Sequence, residues 1–508
     1  MIGAARSNER LVEWAMRFRY GSNIGKLMVL LGCLMYVPLV VILFQPDQLR
    51  YAYAYLIPAS ASVALGLIVL YFTTPDEDKP QNYRAVLARS SWVVLFIWIW
   101  GSLVGAAPFA LGLHMTFLHA LFESVSGWTT VGLSIIDVGA TPQIFMFHRC
   151  FMQYCGGLGF VLIMILIISN RDSMNLYDAE GHPDKILPSI RRTAQAIFLV
   201  YNICLVVATV AYMLAGLSFF DGLYHAMCGL STGGFTNKLG SVGDFQSVPV
   251  EVITVVLMLV GATNFATLLL FVQGKWRRAF KTTEVRFMLG SLVVVTAVVS
   301  ADLAIEGGLG LVEGFRQGFF SCVTAMTTTG FSICDFTTWP PAAVGVLIVV
   351  MLVGGGFGST AGGLKLRRAY IMLRVMVQDV RRRVLPSSRV APMYFTTAQG
   401  RNKIDPALVS NTMSMFVMYI LVYLIGAIGM CMTSGAPLEG CLFEFASAFS
   451  SAGVSVGITS ASASNGTLII EMIGMLLGRL EIVVVFVGFG ATWEYLKQWR
   501  RQRSRRRL

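Results

Sequence analysis

Apolar runs of about twenty residues alternate with short polar, mostly basic segments along nearly the whole chain. A helix rises about 1.5 Å per residue and bilayer hydrocarbon is about 30 Å thick, so each run predicts a spanning helix. Ten runs qualify: Leu27–Phe44, Ala52–Phe72, Trp92–Leu113, Phe151–Ile168, Ala196–Phe219, Val250–Val272, Phe287–Ile305, Ala342–Leu364, Met413–Met432 and Leu468–Phe489. The first has no small-residue cleavage site after it and a second follows closely, which predicts retention rather than removal as a signal peptide. The expected fold class is an all-α polytopic membrane protein with ten transmembrane helices.

Charge adds topology. Only 13% of the 508 residues are charged, about half of what a soluble chain carries, and mean hydropathy is +0.68. With an internal N-terminus, 34 of the 39 Lys and Arg fall in segments on one face: 1–26, 73–91, 170–195, 273–286, 365–412 and 490–508. This positive-inside bias accounts for the net charge of +12 without a nucleic-acid partner and predicts cytoplasmic termini. The six arginines between Arg500 and Arg507 anchor topology or touch anionic headgroups. No Cys pair has metal-ligand spacing, and no nucleophile, base and orienting acid share a motif, so an enzyme is not expected.

Four segments between spans share a pattern that hydropathy alone misses. Aligned on Gly132, Gly234, Gly330 and Gly453, the position ten earlier is aromatic (Phe122, Tyr224, Phe320, Phe443). Six earlier it is small and bears a hydroxyl or thiol (Ser126, Cys228, Thr324, Ser447). Five earlier it is Gly or Ala (Gly127, Gly229, Ala325, Ala448), and two earlier it is hydroxylic (Thr130, Thr232, Thr328, Ser451). The glycines are 102, 96 and 123 residues apart, so one unit reads span, short re-entrant helix, filter, span. The expected organisation is an N-terminal helix pair with its loop (1–91), then repeats over 92–193, 194–286, 287–412 and 413–508, the last with a basic tail.

Re-entrant backbone at membrane depth is tolerated only where it lines a wet cavity or is buried in protein. Glycine there adopts angles closed to other residues, turning successive carbonyls toward one axis, and the preceding hydroxyl supplies one more oxygen. Four such strands would replace a potassium ion's hydration shell. The filter set is Thr130, Val131, Gly132; Thr232, Gly233, Gly234; Thr328, Thr329, Gly330; and Ser451, Ala452, Gly453. Thr130-Val131-Gly132 matches the start of the T-V-G-Y-G signature of potassium channels. Gly233 and Ala452 depart from it and no strand has its second glycine, which predicts a shorter, less regular filter.

These residues, with Gly105-Ala-Ala-Pro-Phe109, Arg149, Gln153-Tyr-Cys-Gly-Gly-Leu-Gly159, Asp184-Lys185, Leu187-Pro188, Ile190–Ala194, Gly261-Ala-Thr-Asn-Phe265, Gly354–Lys365 and Gly478-Arg-Leu-Glu-Ile482, resemble the Trk/Ktr family of bacterial potassium uptake proteins, specifically the Trk-type membrane subunit. The resemblance runs along nearly the whole chain and implies potassium as the transported ion, an inner-membrane location, a homodimer, and a separate cytoplasmic nucleotide-binding (NAD- or ATP-type) regulatory subunit. No G-x-G-x-x-G follows a strand here, so no nucleotide domain or organic cofactor is expected in this chain. Segment 365–412, with ten basic residues, is the expected docking surface.

Six glycines in ten residues (Gly354, Gly355, Gly356, Gly358, Gly362, Gly363) predict a break in the second span of repeat three, since each costs up to about 1 kcal/mol in a helix. The resemblance implies that this loop is the gate under the filter. Arg479, deep in the last span, reads either as an internal ion pair or as a positive charge facing the pore below the filter. Glu123 and Glu444 read as structural, pairing with Arg149 or capping a pore helix. Two transport mechanisms stay open: a gated potassium pore, and a proton- or sodium-coupled symporter for which Glu481 is the candidate titrating carboxylate.

Overall fold

The computed structural model describes residues 22–73, 83–167, 190–384 and 392–480, and beyond these 482, 485, 486, 488–490, 493, 494 and 497. Six of the expected spans are long apolar helical stretches: Asn23–Phe44, Pro46–Phe72, Ser90–Gly112, Arg191–Leu214, Thr283–Ile305 and Pro406–Ser434. The other four runs are interrupted, the one in repeat three as its glycines predict and the other three against the expectation of unbroken spans. The run expected over 151–168 is split into Gln143–Leu158 and Phe160–Ile167 at Gly159, whose φ is +84°. The run expected over 250–272 is two helices, Val248–Gly261 and Phe265–Val272, bent by 116°. In repeat three the helix Pro341–Val353 stops at Gly354, and the chain is non-helical until Leu366. In repeat four the helix Asn465–Arg479 ends at Leu480.

Three of the four interruptions share one steric setting. All four fall on the last helix of a repeat, and in repeats one, two and four a glycine there lies directly on the end of the pore helix. A Cβ on Gly156, Gly261 or Gly478 would collide with the carbonyl oxygen of Trp128, Leu230 or Phe449 respectively. A helix held this close to another backbone presents glycine, and glycine is where it breaks most readily.

The pore helices are Phe117–Trp128, Phe219–Leu230, Leu311–Thr327 and Leu438–Ser450. At 12 to 17 residues they are about 18–26 Å long, too short to cross hydrocarbon. Thr116 and Ser218 cap the first two by accepting hydrogen bonds from His119 N–H and Asp221 N–H. Each pore helix packs on the first helix of its own repeat and on the last helix of the preceding repeat. The last helix of repeat four packs on pore helix one, so the repeats form a closed ring in the order one, two, three, four.

Outside the ring, Asn23–Leu34 lies along Ala52–Phe72 with Gly25, Gly32 and Gly66 at the seam, and Ser62 Oγ donates to Met28 O at 2.8 Å. Between repeats three and four, the amphipathic helix Leu366–Val384 leads to an antiparallel hairpin, β1 (Tyr394–Thr397) and β2 (Gly400–Lys403). Phe395 of the hairpin packs with Ile371 and Ile404.

Candidate ion filter and intramembrane loop

Each pore helix ends in the same turn. Thr130, Thr232, Thr328 and Ser451 all lie in the left-handed region, with φ of +56, +52, +51 and +59°. Non-glycine residues occupy that region rarely, so its occurrence four times at one aligned position marks a strained, repeated construction. The next N–H folds back onto the helix: Val131 to Ser126 O at 3.0 Å, Gly233 to Cys228 O at 2.8 Å, Thr329 to Thr324 O at 3.0 Å, Ala452 to Ser447 O at 2.8 Å. In repeats one and three the filter glycine N–H donates to the Ser126 or Thr324 hydroxyl, at 3.1 and 3.0 Å. With their N–H groups drawn back, the carbonyls turn the other way.

They turn toward the neighbouring repeat. A Cβ on Gly132 would collide with the carbonyl oxygen of Gly233, on Gly234 with that of Thr329, on Gly330 with that of Ala452, and on Gly453 with that of Val131. Each glycine therefore abuts the carbonyl of the residue just before the next repeat's glycine, and the fourth contact returns to the first repeat. The four filter glycines and the residue before each are thus brought into one ring, with Thr130, Thr232, Thr328 and Ser451 one position earlier in each strand. The hydroxyls of Thr130 and Ser451 are buried with no protein partner, whereas those of Thr232 and Thr328 meet the glycine loop.

A second set of contacts holds the outer ends of the filter strands. Nine residues before the filter glycine stand Glu123, His225, Ser321 and Glu444; two residues after it stand Ser134, Thr236, Ser332 and Ser455. Ser134 Oγ donates to Glu123 at 3.0 Å, His225 Nε2 lies 3.1 Å from Thr236 Oγ1, and Ser455 Oγ donates to Glu444 at 2.6 Å. The hydroxylic residue two after each glycine is legible in the sequence but escaped the motif reading, which stopped at the glycine. Glu123 pairs with Arg149 (Nε–Oε1 2.5 Å), both buried, and Arg149 also donates to Ser134 Oγ and Thr236 O and stacks on Phe235. Gln153 likewise was quoted only for its motif. Its Nε2 donates to Gly233 O at 2.6 Å, its Oε1 accepts from Phe235 N–H at 3.0 Å, and it fills the space a side chain at 233 would need.

The glycine loop lies directly beneath the filter. Its arms pair as a hairpin, Leu364 N–H to Leu352 O and Leu366 N–H to Gly355 O, at 2.9 and 2.8 Å. Its tip bonds outward: Gly356 N–H to Ala262 O (2.9 Å), Phe265 N–H to Gly358 O (3.1 Å), Thr360 Oγ1 to Gly261 O (2.8 Å) and Gly362 N–H to Thr328 Oγ1 (2.7 Å). Arg479 Nη1 donates to Thr360 O at 2.9 Å, and its Nη2 to Gly156 O at 2.5 Å and Gly157 O at 3.3 Å. Arg479 and the loop are thus in contact. Downstream, Arg367 bonds Glu284 at 2.6 Å and lies over Phe357. Glu481, the 168–189 loop that carries part of the family resemblance, and the arginine tail lie outside the described residues.

A family model described as a cation transport protein, TrkH, matches residues 76–500. The Trk system potassium uptake protein TrkH of Halomonas elongata is 30% identical over 488 residues, covering 92% of this chain and 97% of that protein. The protein of the same name from Escherichia coli K12 is 26% identical, covering 94% and 99%. Among solved structures, the potassium transporter TrkH from Vibrio parahaemolyticus superposes with a TM-score of 0.80 at 24% identity, over 93% of this chain and 98% of that one.

Proposed function

Because the chain belongs to the TrkH family of cation transport proteins, a family of multi-pass membrane transporters and not enzymes, we propose that it takes up potassium through the ring of four filter strands. The observation that carries this reading is the cyclic contact of each filter glycine with the next repeat's carbonyl. The carbonyls of Val131, Gly233, Thr329 and Ala452 gather around that ring and the buried hydroxyls of Thr130 and Ser451 have no protein partner, so the ring offers oxygens that can replace a potassium ion's hydration shell. The glycine loop under the ring is the gate, and Arg479 latches it shut by holding Thr360 O while placing positive charge on the cytoplasmic side of the filter.

In this reading the protein sits in the inner membrane as a homodimer with cytoplasmic termini, and a nucleotide-binding regulatory subunit docks on segment 365–412. Hairpin and loop meet at Arg367, whose guanidinium lies 4.6 Å from the Phe357 ring and 5.7 Å from the Phe395 ring. Reversal potentials in planar bilayers under separate gradients of potassium, sodium and pH test the mechanism. A pore reverses at the potassium equilibrium potential at every pH. A reversal that moves with the proton or sodium gradient would make the protein a symporter instead.

A further inference from the structure

Two buried glutamates of repeat four stand together: Glu444, which holds the outer end of its filter strand, and Glu471, which the filter contacts do not use. Glu444 and Glu471 are both fully buried, one on the pore helix and one on the last helix. Glu444 is well supplied with donors: Ser455 Oγ at 2.6 Å, Val456 N–H at 2.9 Å and Thr459 N–H at 3.0 Å. Glu471 receives only the Thr459 hydroxyl, on Oε1 at 2.6 Å, and its Oε2 is buried with no hydrogen-bond partner. Thr459 thus bridges the two carboxyls, its N–H on one and its O–H on the other.

Among the described residues, no basic side chain forms an ion pair with either glutamate. Arg479, two turns along the same helix from Glu471, bonds to the carbonyls of Thr360, Gly156 and Gly157. Glu123, on the pore helix packed against this one, is itself paired with Arg149. The other ionisable groups on the packed elements are Glu439, Cys441, His119, Tyr419, Tyr423 and Cys431, and none bonds to the pair. Segment 452–464 and the helix Pro341–Val353 carry no charged residue.

An ionised carboxylate with one oxygen wholly unpartnered, buried beside a second anion, is far costlier than a neutral acid in the same place. Glu444, with three donors, is the better site for the single charge. We infer that Glu471 is a proton-binding site: it carries a proton on Oε2 and forms, through Thr459, an acid–carboxylate bridge with Glu444 that ties the outer loop of repeat four to the last helix. Among the described residues no third His, Cys, Asp or Glu joins the pair as a metal site would, and a neutral Glu471 does not compete with the filter for a cation.

The test uses the full chain, purified and reconstituted. Infrared spectra in light and heavy water should show the carbonyl stretch of a protonated carboxylic acid that is lost in Glu471→Gln and retained in Glu444→Gln. Thermal unfolding adds an independent readout. Glu471→Gln, which keeps an acceptor for the Thr459 hydroxyl, should hold the wild-type midpoint, Glu471→Met, which loses it, should lower the midpoint slightly, and Glu444→Gln, which leaves three donors facing a weaker acceptor, should lower it by several degrees. A wild-type spectrum without the acid band, or a band that survives in both Glu471 variants, overturns the inference. So does a wild-type midpoint that rises with added potassium or sodium where that of Glu471→Gln does not, since a cation would then hold the site.

Discussion

The filter strands and the glycine loop are made of the same residues, glycine with threonine or serine, and both run as non-helical backbone deep in the protein, but they are held in opposite ways. Every filter strand returns its N–H groups to the pore helix immediately before it, within six residues. The loop pairs its own arms at the base, and its tip depends on Gly261, Ala262 and Phe265 of repeat two, Thr328 of the third filter and Arg479 of repeat four. The second strand is also tied to repeat one through Gln153 and Arg149, but a structure whose backbone bonds lie mainly within its own repeat changes less when repeats shift. One held by three repeats changes when any of them moves. That difference is the physical basis for assigning selectivity to the first and gating to the second.

The largest break in this comparison comes from deleting Gly354, Gly355 and Gly356. In the proposed gating role the loop blocks by reaching across, and each residue removed takes away up to about 3.3 Å of extended reach. Isotope uptake into proteoliposomes without the partner subunit should become constitutive. Unchanged or reduced uptake by a well-folded deletion would sink the gate assignment. Next, alanine at Gly132, Gly234, Gly330 or Gly453 forces a left-handed non-glycine residue, at about 1–2 kcal/mol, and drives a methyl into the neighbouring strand. Each variant should lose potassium-over-sodium preference in rubidium flux; preserved preference would remove these residues from the filter.

Arg479→Ala removes three hydrogen bonds from a charged donor, of which the one to Thr360 is the loop latch. At about 1.5–3 kcal/mol for such a bond, partner-free flux should rise by about tenfold or more. Stable protein with wild-type flux would show that the latch lies elsewhere. The smallest effect sharpens the comparison most. Thr328→Val takes the acceptor from Gly362 N–H, a change of about 0.5–1.5 kcal/mol, and should raise basal flux a few-fold. Thr130→Val, whose hydroxyl has no protein partner, should leave gating alone and alter only ion affinity. Matched effects of the two on gating would erase the distinction between the strands that touch the loop and those that do not.

Much of this was legible before any coordinates. The aligned aromatic, small and hydroxylic positions located all four filters because each does a local job: Phe122, Tyr224, Phe320 and Phe443 are buried anchors, and Ser126 and Thr324 receive filter N–H groups. The helix stop at Gly354 followed from glycine's poor helix propensity, which acts residue by residue. Hydropathy read the last helices of repeats one, two and four as continuous spans, because it registers apolarity and not the close backbone approach that accompanies the breaks at Gly159, Gly261 and Arg479. It was equally blind to Gln153, whose value lies in two hydrogen bonds across about eighty residues of chain.

The sequence by itself determined whatever repeats or acts within a few residues: the apolar runs, the basic faces, four copies of one filter motif, and the glycine interruption. Tertiary structure alone decided partnership across repeats. It set the ring order in which Gly453 meets Val131, chose Arg149 for Glu123 and a second acid for Glu444, and laid Arg479 on Thr360. Local propensity is written in neighbouring side chains, whereas a contact between residues more than a hundred positions apart exists only once the helices between them have packed.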